Sequence, residues 1–115
     1  MTKLSTDQMF LQATRNPGTR HEFYSMIRPN IICVDGFRMS VQASESHYCT
    51  PRKTAAIYTH VEVGYPSMAE ELLLPYAEIP EDPTGTVYGW VPVEVVDSII
   101  EKHGGIARFA WSKDE

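Results

Sequence analysis

NIICVDGFRMSVQA, residues 30–43, decides the fold. Asp35-Gly36 lies between two runs rich in branched and aromatic side chains, and that dipeptide readily takes the positive φ angles of a two-residue type I′ turn. The spacing predicts a hairpin with Val34 opposite Phe37, Ile32 opposite Met39 and Asn30 opposite Val41, which gives one apolar face. On that register the other face carries Cys33 beside Arg38, Ile31 beside Ser40, and Gln42 beyond them. A polar loop, SESHYCTPRK (44–53), leads to a third strand in TAAIYTHVEVG (54–64). Its alternation puts Ile57, Val61 and Val63 on the core side and Tyr58, His60 and Glu62 on the varied side.

Beyond Gly64-Tyr65-Pro66, Ser67 and Glu70 have capping-box spacing, which predicts a short helix in SMAEELLL that Pro75 stops. The run PYAEIPEDPTG reads as an exposed acidic loop, and TVYGWV (86–91) as a strand with Tyr88 and Trp90 on one side and Val87, Gly89 and Val91 on the other. The clearest helix follows: Pro92 suits its first turn, Glu94 its positive dipole end, and Val95, Val96, Ile99 and Ile100 form an apolar stripe. Gly104-Gly105 ends it, and IARFAW (106–111) reads as a last strand. Upstream of the hairpin, Ser5 to Gln8 opens a short helix with Met9, Phe10 and Ala13 as its apolar side, ended by Asn16-Pro17-Gly18. Residues 1–25 therefore read as a helical arm or appendage, and 26–115 as a single domain.

A chain of 115 residues can bury a core without disulfides or metals, and 43% apolar content is that of a folded protein, which excludes a disordered chain. No apolar run has the length of a membrane span, and the N-terminus lacks a signal-peptide pattern, so a soluble cytoplasmic protein with Cys33 and Cys49 reduced is expected. The net charge of −5 argues against duplex nucleic acid as a partner. The charge is uneven: residues 1–53 hold seven Lys/Arg and four Asp/Glu, residues 54–115 three and eleven. Such asymmetry suits steering of an anion unless the fold interleaves the halves.

The runs GFRMSVQASESHYCTPR, YTHVEVGYPS and TVYGWVPVEVVDSIIEKHGG resemble a family of small bacteriophage- and prophage-encoded proteins of unassigned function. The resemblance spans about residues 26–106 and implies a context, a phage or prophage product working in the cytoplasm of a host bacterial cell. It carries no activity, cofactor or catalytic residue.

Chemistry-bearing residues gather around the 44–53 loop. His47, Cys49, Cys33 and His60 supply soft ligands, but no Cys-x-x-Cys or His-x-x-x-His pair sets two ligands at once. Cys49 with His47 or His60 lacks the motif of an oriented thiol nucleophile, and a thiolate-favouring Arg38 beside Cys33 competes with the ordinary reading of a small buried thiol. There is no phosphate loop and no dinucleotide fingerprint. Arg38, Arg52 and Lys53 could form an anion patch, with Tyr48, Tyr58 or Trp90 stacking on a ring. For any single one of these, solvated charge or sheet packing is the plainer account.

The sequence thus predicts an α+β fold, a mostly antiparallel sheet with the C-terminal helix packed on its apolar face and the short N-terminal helical arm. The expected function is a non-enzymatic accessory binding protein that engages a host factor or sequesters a small anionic, nucleotide-like ligand. Arg38, Gln42, His47, Tyr48, Arg52, Tyr58 and His60 would form the site, with no catalytic residue, metal or cofactor. One alternative is a small metal- or Cys/His-dependent hydrolase using His47, Cys49, His60 and Glu62; another is an acidic mimic of nucleic acid presenting the acids of 70–82. An exposed edge strand is compatible with a homodimer.

Overall fold

Alternating branched residues form the strands where expected, and the turn between the first two sets their faces. The structure, a computed structural model, describes residues 29–43, 47–52 and 58–111. The arm of residues 1–25, Ile57 and Lys53 lie outside the described residues. Five strands, β1 (Asn30–Cys33), β2 (Arg38–Gln42), β3 (His60–Gly64), β4 (Val87–Pro92) and β5 (Ile106–Ala110), make one sheet in the order β4-β3-β2-β1-β5. Every pairing is antiparallel. The helix α1 (Val93–Lys102) joins β4 to β5 and contributes Val96, Ile99 and Ile100 to the core.

The hairpin register differs by one residue from the expected one. Ile31 pairs with Met39 and Ile32 with Arg38, and the loop has three residues, Val34-Asp35-Gly36. The Gly36 N–H donates to the Cys33 carbonyl (2.9 Å), the Cys33 N–H to the Phe37 carbonyl (2.8 Å), and Gly36 takes φ 95°. These bonds define a bulged hairpin with glycine in the left-handed position, a loop that Asp-Gly serves as well as it serves the two-residue turn. A one-residue slip moves a whole strand's side chains to the other face. Ile31 and Cys33 therefore join Phe37, Met39 and Val41 in the core, while Val34 is an exposed loop residue. Arg38 faces Ile32 and not Cys33.

Further along, Val61 and Val63 point into the core as expected, but Tyr58 precedes the strand and is buried with them instead of sharing the face of His60 and Glu62. The 67–74 segment forms no α-helix. A 3-10 helix runs over Glu71–Tyr76 with Glu70 as its cap, and Pro75 lies within it. The Ser67 hydroxyl instead accepts the Arg38 N–H at 2.9 Å. In β4 the faces also change, because Val91 opposes Val61 while Tyr88 opposes Val63, so Gly89 and Trp90 together face Glu62. This bulge turns both Tyr88 and Val91 inward and leaves Trp90 half exposed.

Helix α1 ends as its glycines predict. The Gly104 N–H donates to the Glu101 carbonyl and the Gly105 N–H to the Ile100 carbonyl, with both glycines at positive φ, which is a Schellman motif. The hairpin loop docks on that end: the Val34 N–H donates to the Gly105 carbonyl (2.9 Å) and the Asp35 N–H to the His103 carbonyl (3.2 Å). Full burial of each Val, Ile or Met in the core contributes about 1.5–3 kcal/mol. The core thereby fixes the sheet on which the β4 bulge sits. No helix among the described residues is long and apolar enough to cross a membrane.

Candidate aromatic cleft at the β4 bulge

Two backbone segments flank the bulge. On one side residues 48–50 run beside β3 and β4: Thr50 bridges to His60, the Tyr48 N–H donates to Glu62 Oε1 (3.1 Å), and the Trp90 N–H donates to the Tyr48 carbonyl (3.1 Å). On the other, Ala77 bridges to Tyr88 and the Glu78 N–H donates to the Val87 carbonyl (3.0 Å). Between them lies a cleft of ≈ 310 Å³ lined by Tyr48, Tyr76, Glu78, Gly89 and Trp90.

Trp90 is held in this position under strain. Its φ of 50° is in the left-handed region, which costs a non-glycine residue about 1–2 kcal/mol. Its ring stacks on Tyr48 with centroids 5.0 Å apart and planes 26° apart, and the Arg52 guanidinium lies 5.4 Å from the Tyr48 centroid. Gly89 permits the stack, since a Cβ there would come within 3.3 Å of the Tyr48 Cβ. Bulges and strained backbone positions both recur next to functional sites.

The structure brings only part of the expected residue set together. Tyr48 and Arg52 belong to the stack, and His60 lies opposite Pro92 in the β3–β4 ladder with Nδ1 2.9 Å from the Thr59 hydroxyl. His47 precedes Tyr48 and is half-buried. Gln42 pairs with Glu62 across the sheet, is nearly buried, and donates through Nε2 to the Ser40 hydroxyl (2.9 Å). Arg38 lies at the far end of β2, where its backbone exchanges bonds with Ser67. Tyr58 is in the core and offers no face to a ligand. Tyr76, Glu78 and Gly89 went unread as site residues because only the 76–78 segment's contact with β4 makes them neighbours.

Two of the four residues of the hydrolase alternative, Cys49 and Glu62, make hydrogen bonds within the fold. Cys49 is buried with its thiol donating to the Pro51 carbonyl (3.3 Å), and Glu62 accepts the Tyr48 N–H. Among the described residues no group of three or more His, Cys, Asp or Glu is placed to hold a metal ion. Cys33 is a protonated thiol, its pKa pushed up to about 11 by burial and then by the Asp35 charge.

A second polar cluster lies at the other end of the core. His103 Nδ1 is 2.6 Å from Asp35 Oδ2, and its Nε2 is 2.8 Å from Glu70 Oε1. Glu70 Oε2 accepts from Lys102 Nζ (2.9 Å) and from the Leu72 N–H (3.0 Å), and Phe37 stacks on the imidazole at 4.1 Å. Burial alone would lower the His103 pKa, yet the hydrogen bonds to Glu70 and Asp35 outweigh it and the pKa is raised. Burial would raise that of Glu70, but the Leu72 N–H, His103 and Lys102 bring it down. With a carboxylate on each nitrogen the imidazolium form donates from both, and in that form the ring has no lone pair for base catalysis. The cluster ties the hairpin loop, the 3-10 cap and the end of α1 together. Sequence reading missed it because positions 35, 70 and 103 carry no shared local pattern.

Comparison with protein-family models, with curated proteins and with solved structures finds no match to this chain.

Proposed function

We propose that this chain is a non-enzymatic binding protein that holds a small ligand in the cleft at the β4 bulge. The observation that carries the reading is Trp90, kept half exposed at a left-handed φ and stacked on Tyr48 in the cleft wall. Folding alone gains little from a strained, solvent-facing indole, whereas a ligand gains a flat apolar platform. The cleft volume of ≈ 310 Å³ is at the lower end of the range of about 300–1,000 Å³ for ligand sites, which suits a head group or a single ring. In the phage context that the sequence resemblance implies, the ligand would come from the host cell.

Among the described residues a nucleotide-like anion draws support from Arg52 and not from Arg38, which lies at the other end of β2. The test is emission from Trp90 in a Trp111→Phe background, titrated with p-cresol, benzyltrimethylammonium and adenosine monophosphate. A saturable change with at least one probe, lost in Tyr48→Ala, is the expected result. Unchanged emission with all three in a folded protein would overturn the reading.

A further inference from the structure

We infer that the cleft selects an organic cation, a small molecule carrying an alkylated ammonium head group, with Glu78 as its counter-charge; the inference rests on the cleft being a ligand site. Among the described residues the walls supply three aromatic side chains, Tyr48, Tyr76 and Trp90, and one carboxylate, Glu78, beside Gly89. Aromatic faces carry negative quadrupole potential and attract cations, most strongly for tryptophan. An anion would meet those same faces and the Glu78 carboxylate unfavourably.

The stack already shows this chemistry within the chain, since the Arg52 guanidinium lies over the Tyr48 ring at 5.4 Å. The surrounding charge agrees. Glu78 opens an exposed acidic segment with Glu81 and Asp82, and the Asp82 charge, after burial, raises the pKa of Tyr88, the residue next to Gly89. Among the described residues Arg52 approaches the stack, with its guanidinium over Tyr48.

Choline and its neutral carbon isostere, 3,3-dimethyl-1-butanol, separate charge from shape. Titrated against Trp90 emission in the Trp111→Phe protein, choline is expected to bind about ten-fold more tightly than the isostere. Glu78→Gln should weaken choline about three-fold or more and leave the isostere unchanged, with far-ultraviolet circular dichroism confirming the fold. Equal affinity for the two, or tighter binding of adenosine monophosphate than of choline, would overturn the assignment. If p-cresol binds and choline does not, the cation assignment fails while the cleft stands as a ring-binding site. If no probe moves Trp90, the site itself fails and the assignment with it.

Discussion

Trp90 and Gly89 together make the platform, and each tests a separate part of it. Only glycine takes a φ near 50° without penalty, so Trp90→Gly should be more stable to urea than Trp90→Ala by about 1 kcal/mol, although both lose the ring. An alanine variant as stable as the glycine variant would show that the bulge relaxes without strain. Gly89→Ala places a methyl 3.3 Å from the Tyr48 Cβ, tighter than most contacts, so Tyr48 must shift. We expect a loss of about 1 kcal/mol in stability and an altered near-ultraviolet circular dichroism signal from the Tyr48–Trp90 pair. Neither effect is legible in TVYGWV read alone, where simple alternation puts Tyr88 and Trp90 on one face. The bulge reverses that assignment because Tyr88 and Val91 both have core to fill.

At the scale of elements, the Asp35–His103–Glu70–Lys102 cluster gives the fold a pH dependence. The raised His103 pKa means its stabilisation is complete below the unfolded histidine value of about 6.5 and is lost as pH rises through the folded value. Glu70 and Asp35 run the other way: for Asp35 the Phe37 N–H and then His103 lower the pKa, so these carboxylates stabilise above about 4 and lose that effect as pH falls through their folded values. The windows overlap between about pH 4.5 and 6.5, where the cluster contributes most. Urea midpoints should therefore fall from pH 6.5 toward pH 9, and His103→Gln should flatten that decline. A decline of the same slope in the variant would assign it to other groups. Glu70→Ala leaves the buried Nε2 of His103 without its carboxylate, while Asp35 stays on Nδ1, and should cost about 3 kcal/mol at pH 6. The hairpin itself was legible as a hairpin, but its register was not, since Asp-Gly fits two loop lengths. Docking of Val34 and Asp35 on the end of α1 and burial of Ile31 and Cys33 select the longer loop.

For the molecule as a whole, the strands, α1 and its glycine stop can be read from periodicity because each is a local property of its own residues. The site could be read only in part. Tyr48 and Arg52 stand out in the loop after β2, whereas Tyr76 and Glu78 become their neighbours through strand pairing across the bulge. Charge asymmetry between the halves of the chain likewise changes meaning in space. The sheet order puts β1 and β2 between β3 and β5, so the described parts of the two halves interleave, and exposed acids lie close in sequence at Glu78, Glu81 and Asp82. We propose that this sheet supports a ligand cleft at the β4 bulge. Nuclear magnetic resonance shift mapping with benzyltrimethylammonium tests it most directly. Saturable shifts of the Trp90 indole N–H and of the Tyr48, Tyr76, Glu78 and Gly89 amides are expected, with Asp35, Glu70 and His103 unmoved. Shifts confined to other surfaces, or none at saturating probe, would contradict it.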